Sequence, residues 1–208
     1  MKRDDLLSDG PRDAALTLVL AHGAGAPMDS PFMDAIAEGV AGAGVRVVRF
    51  EFPYMAARRA GKKTGPDREA VLRRCWMDVI ALLGGGAKLV IGGKSLGGRI
   101  ASLLADEVRA RGLVCLGYPF HPPGQPDKLR TEQLLKLKTP ALIVQGERDP
   151  FGPWVEVEAM KLSPTVHLQW ISAGDHSFKS PARAGRSEAQ NLAEAAAAVV
   201  KFLRSITT

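Results

Sequence analysis

Apolar and polar positions along this chain fall into blocks. Six short apolar runs recur, at 15–20, 45–50, 88–91, 113–116, 141–145 and 166–171. The segments between them have helical spacing, which predicts helices over 30–40, 66–83, 96–111 and 153–162 and a last one from Ser187 onward. Pro66 stands near the start of the second, Asp67 and Glu69 in its first turn, and Gly84-Gly85-Gly86 behind it as a stop. The last opens on a capping-box pattern, Ser187 to Gln190. It then sets Leu192, Ala196, Val199, Leu203 and Ile206 on one stripe. Strands alternating with helices imply right-handed crossovers and a parallel sheet.

Strand chemistry suggests an order. Four runs are apolar almost throughout, as in strands buried on both faces. The second run carries Arg46 and Arg49 and the sixth alternates, both of which are edge patterns. The expected fold class is therefore α/β: three layers, doubly wound, around a mostly parallel six-stranded sheet of order 2-1-3-4-5-6. The 208 residues form a single expected domain, 1–208, able to hide roughly 70% of the unfolded surface. Ligands bind beyond the carboxyl ends of such strands. The stretch 56–65 lacks large apolar residues and reads as a mobile loop, as does the shorter 179–186.

Composition changes this picture little. At 46% apolar and 24% charged it is that of a soluble globular protein. No apolar run approaches the ~20 residues of a membrane span. Asp4 and Asp5 occupy positions where a signal peptide is apolar, so a cytoplasmic protein without a membrane partner is expected. Cys75 and Cys115 form no CxxC pair, and neither a metal nor a cofactor is expected. The net charge is +6, but eight basic residues against three acidic ones lie between Arg49 and Arg74. That is a local patch, not a basic protein. Three uses compete for it: a solvated loop, capture of a carboxylate or phosphate on a substrate, and nucleic-acid binding. The last is the weakest, because aromatics suited to base stacking are scarce there. Tyr54, Arg58 and Arg59 are the candidate substrate contacts, with packing an equal reading for Tyr54.

The chemistry concentrates after the third strand, in Gly92-Gly93-Lys94-Ser95-Leu96-Gly97-Gly98. This contains GxSxG between an apolar strand and a helix, where a sharp turn lifts a serine hydroxyl above the sheet. The turn is tight, so the positions two before and two after the serine must be small, and they are Gly93 and Gly97. Gly93-Lys94-Ser95 is also the tail of a phosphate-binding loop, but that motif needs glycine at position 88, which is Lys88. A nucleophilic serine needs a base and an orienting acid. Of the four histidines, His176 follows the last strand, at the sheet edge where a base is required. The acid candidates are Asp149, Glu147 and Asp175, of which Asp175 reads better as a turn residue. The loop after the first strand, His22-Gly23-Ala24-Gly25-Ala26, is small enough for a backbone amide to approach a reacting carbonyl. Ala24 is the first choice, Gly25 the second, and His22 reads as a fastener of that loop.

These pieces resemble an α/β-hydrolase, in a small subgroup near the dienelactone hydrolases. The matching motifs are 22–25, 93–97, 146–149 and 174–176, so the likeness spans nearly the whole chain. The resemblance implies Ser95 as nucleophile, His176 as base, Asp149 as orienting acid, and the amides of Ala24 and Leu96 as oxyanion hole. The chain departs from dienelactone hydrolases proper in carrying serine where they use cysteine. About fourteen residues precede the first strand, too few for the family's two usual leading strands. The segment 119–139 is too short for a helical cap, so an open site is expected. The implied activity is cleavage of a small ester or thioester, with an anionic substrate one option, through an acyl-enzyme. The rival is a non-catalytic protein-interaction or anion-binding module on the same fold.

Overall fold

In the strand Thr17–Ala21, Leu18 and Leu20 point to one face of the sheet and Val19 and Ala21 to the other, all four without exposed surface. A strand wrapped on both faces has to lie inside a three-layer structure. The computed structural model, which describes residues 2–207, has that form. Its strands are β1 Leu7–Asp9, β2 Thr17–Ala21, β3 Arg46–Phe50, β4 Leu89–Lys94, β5 Gly112–Leu116, β6 Ala141–Gly146 and β7 Val166–Ile171. They form one sheet of order β1-β3-β2-β4-β5-β6-β7, parallel except for β1, which runs antiparallel to β3.

The helices are α1 Pro31–Ala41, α2 Pro53–Arg59, α3 Glu69–Leu82, α4 Leu96–Ser102, α5 Trp154–Val157 and α6 Glu188–Ser205. One apolar core joins α1 and α6 to the sheet through Met33, Ile36, Val40, Val199 and Leu203. The other joins α2, α3, α4 and α5 through Met55, Trp76, Ile80, Ile100 and Val157. The Ser187 capping box is present, with the hydroxyl accepting from the Gln190 amide at 3.2 Å. Among the described residues, no helix is long and apolar enough to cross a membrane.

The sheet has seven strands rather than six, and β3 is not an edge. Leu7–Asp9 is too short to leave a periodic signal. The two arginines that suggested an edge are what hold it: Arg46 donates to Ser8 Oγ at 3.5 Å, and Arg49 pairs with Asp9 at 3.0 Å. Arg49 is 4% exposed and also bonds the Asp34 carboxylate of α1 and the Met28 carbonyl. It therefore ties β1, β3 and α1 together. The other expected edge, β7, is an edge.

Two expected helices and one expected loop also need correction. The helix expected over 96–111 stops at Ser102. The Asp106 carboxylate beyond it accepts from the Lys138 and Thr139 amides and the Thr139 hydroxyl, serving another loop. The helix expected over 153–162 shrinks to α5. The expected mobile loop at 56–65 begins as α2, which Tyr54 and Met55 anchor in the core and two arginines fasten to its neighbours. Arg59 pairs with Glu51 at 2.7 Å and with Asp29, and Arg58 bonds the Thr64 carbonyl at 2.7 Å.

Replacing Arg49 with methionine would strand Asp9 and release β1. The expected cost is about 2 kcal/mol in urea unfolding, for the loss of charge-assisted bonds at a buried site. Amides of residues 7–9 should gain the largest increase in hydrogen exchange.

Candidate active site

β4 runs three residues beyond its expected end and delivers Gly92, Gly93 and Lys94 as strand before the chain turns into α4. Ser95 sits at that turn with φ 49° and ψ −112°, a conformation that costs a non-glycine residue of order 1–3 kcal/mol. The close approach to β2 explains the flanking glycines. A Cβ at Gly93 or Gly97 would penetrate the Ala21 carbonyl, and one at Gly98 would stand 2.6 Å from the Gly93 carbonyl oxygen. The Ser95 amide is held by the Leu116 carbonyl at 3.0 Å.

Three loops converge on Ser95. The Ser95 hydroxyl donates to His176 Nε2 at 2.9 Å, and His176 Nδ1 donates to Asp149 Oδ2 at 2.7 Å. Asp149 has no exposed surface. Its carboxylate also accepts from the Gln145 amide at 3.0 Å and from the Phe151 backbone N–H at 2.9 Å. Phe151 packs its ring 4.3 Å from that of His176. Asp175 fills the turn role expected of it: its carboxylate accepts from the Ser177 and Lys179 amides at 2.8 and 2.9 Å. Glu147 accepts from the Ala173 amide at 2.7 Å, joining the Asp149 loop to the His176 loop.

Two polar residues of this assembly escaped the sequence reading. Gln145, buried at the end of β6, bonds Asp149, the Tyr118 backbone on both sides and the Gly152 carbonyl. Asn191, buried on α6, donates to the Phe178 carbonyl at 2.6 Å and to Ser180 Oγ at 2.8 Å, anchoring the His176 loop. For Gln145 a signal existed: a lone amide closing a strand that is otherwise apolar.

The Ala24 loop lies opposite. His22 donates from Nδ1 to the Gly23 carbonyl at 2.6 Å and accepts the Phe52 amide at Nε2, 3.1 Å away. Burial pulls its pKa below the ordinary histidine value, against the Gly23 bond and Glu51. A neutral ring with one fixed tautomer follows, which fits a fastener and not a base. Among the described residues, neither the Ala24 nor the Leu96 amide has an acceptor. Ser95 and His176 border a cleft of about 310 Å³ with Ala24, Phe32, Lys94 and Phe151. A larger cavity of about 850 Å³ lies between β1, α2 and α3, and none of Ser95, His176 and Asp149 borders it.

The candidate substrate contacts are not brought to this cleft. Tyr54 is 2% exposed, and its hydroxyl stands 3.2 Å from both the Gly23 and Ala24 carbonyl oxygens. Burial pushes its pKa up to about 12, so it stays a donor. Arg58 lies over the Tyr54 ring and bonds the Ala24 carbonyl at 3.3 Å, while Arg59 is committed to Glu51 and Asp29. Tyr54 and Arg58 brace the Ala24 loop from behind. Cys75 and Cys115 are buried and free. Among the described residues, no three His, Cys, Asp or Glu side chains cluster as metal ligands.

Comparison with known proteins agrees with this architecture. A family described as "Alpha/beta hydrolase domain" matches residues 14–204. Nearly the whole chain is covered, and the protein belongs to the α/β-hydrolase family, an enzyme of that class. Several solved structures share the fold. An alpha-beta serine hydrolase homologue from Coxiella burnetii is 20% identical, with a TM-score of 0.71 over 98% of this chain and 94% of that one. A dienelactone hydrolase from Anabaena variabilis is 20% identical, with a TM-score of 0.71 over 96% and 90%. The esterase domain of a Rhodothermus marinus protein is 15% identical, with a TM-score of 0.68 over 95% and 91%.

Tyr54→Phe should destabilise the protein by about 1 kcal/mol, the usual worth of one such bond. Amides 23–26 should exchange faster in the variant. Unchanged exchange there would show that the hydroxyl does not brace the loop.

Proposed function

We propose that this protein is a serine hydrolase that cleaves small esters or thioesters through an acyl-enzyme. The observation that carries the reading is the unbroken hydrogen-bonded chain Ser95–His176–Asp149, with links of 2.9 and 2.7 Å, opening on a cleft. His176 takes the Ser95 proton as Oγ attacks the carbonyl carbon, forming the C–O bond while the carbonyl electrons move onto oxygen. The Ala24 and Leu96 amides face that oxyanion with their unspent donors. His176 then returns its proton to the leaving alcohol or thiol. A water, deprotonated by His176, then attacks the acyl carbon; the bond to Oγ breaks, His176 gives its proton back to Oγ, and the acid leaves. Asp149 keeps the imidazole in the tautomer with its proton on Nδ1 and offsets the charge it acquires.

The cleft favours short acyl groups, because about 310 Å³ holds only a small substrate and the lining is largely apolar. A likeness to an esterase domain fits this reading without carrying it. Arg58 and Arg59 do not line this cleft, and their bonds go to the Ala24 carbonyl, Glu51 and Asp29.

Turnover of p-nitrophenyl acetate tests the proposal. Ser95→Ala should reduce it to background, and Asp149→Asn should lower kcat by roughly 10³–10⁴ by disfavouring the needed tautomer. A folded wild-type protein that turns over neither short esters nor thioesters would favour a non-catalytic module instead.

A further inference from the structure

Lys94 has no evident structural need for its charge. It precedes Ser95, yet its Nζ is enclosed and has no hydrogen-bond partner among the described residues. The stem passes Gly23, its Cγ 3.4 Å from where a Gly23 Cβ would stand, and Nζ lies 5.4 Å from the centroid of Phe32 on α1. An enclosed ammonium without acceptors is costly, and a flexible lysine escapes to water wherever it can. Here its amine comes near the Nδ1 side of the His176 ring. Gly117 makes the approach possible: the position its Cβ would take is 2.9 Å from Lys94 Nζ and 3.3 Å from His176 Nδ1. Any side chain at 117 would collide with the amine and crowd His176. The charged and titratable groups that face Nζ are His176, Asp149 and Asp175, and α1 contributes only the Phe32 ring.

We propose that Lys94 is a positioning residue for the triad, a counter-charge beside His176 that balances buried Asp149 and keeps the resting imidazole free to accept the Ser95 proton. This rests on the triad reading above. Asp149 alone would draw a proton onto the ring, and a cation on the same side opposes it. The environment supports this balance. Burial brings the Lys94 pKa down to about 8, against the attraction of Asp149 and then Asp175. The ammonium is therefore charged below about pH 8 and gives up its proton above it.

The sign of the effect follows. Removing the cation makes imidazolium easier to form, so the acid limb of the rate profile moves to higher pH. The test is kcat/KM for p-nitrophenyl acetate against pH in wild type, Lys94→Met and Lys94→Gln, with folding checked by thermal melts. The acid-limb midpoint should rise by about one unit in both variants. Above the acid limb the three profiles should converge. An NMR titration of the His176 ring in Ser95→Ala, with and without Lys94→Met, reads the same shift without turnover. A midpoint that stays put or falls, or a loss equal at every pH, would overturn the proposal. If wild type cleaves no ester, the hydrolase reading fails, while the NMR titration still decides the role of Lys94.

Discussion

The structure turns on the crowding between the backbones of β2 and the β4–α4 turn. Ser95 takes a left-handed φ because the chain must leave the sheet and enter a helix within one residue. That turn closes only if the atoms beside Ala21 are hydrogens, which is why glycine stands at 93 and 97. The strain is held by the parallel pairing of β4 with β2 and β5 on either side. Both flanking strands are buried on both faces, so the turn cannot relax without disturbing two cores. A serine side chain raised above the sheet results from that packing.

A second constraint is electrostatic. Asp149 is a carboxylate without access to water, and such a group persists only where bonds satisfy it. Gln145 and the Phe151 amide provide them from within the same segment, and His176 from the loop after β7. Glu147 and Asp175 contribute differently, by fixing the two loops that carry Asp149 and His176. The basic patch has a comparable structural use. Arg49, Arg58 and Arg59 hold β1, α1 and the Ala24 loop through named carboxylates and carbonyls.

Much of this was legible in the residues. Doubly apolar runs reported the central strands because both faces of those strands are covered. The elbow was readable because its glycines are required by contact, and His176 and Asp149 because each follows a strand whose end is fixed by the sheet order. What escaped was whatever depends on pairing between distant short segments. β1 has three residues and no period, so Arg46 and Arg49 read as marks of an edge when they are its fasteners. α2 has few apolar anchors and is held by ion pairs that local pattern does not reveal. Asp106, beyond the early end of α4, serves residues 138–139, a contact that no spacing along the chain predicts. Lys94 belongs to the same group: the sequence places it in the elbow, but only the tertiary structure brings its amine near the Nδ1 side of His176.

The central claim is that Ser95 is the nucleophile, made reactive by His176 and Asp149. It is tested most directly by treating the folded protein with a fluorophosphonate and measuring intact mass and peptide mass by mass spectrometry. The account predicts a single adduct on the peptide bearing Ser95 and none in Ser95→Ala. A folded wild-type protein that gains no mass, or a Ser95→Ala protein that gains the same adduct, would contradict it.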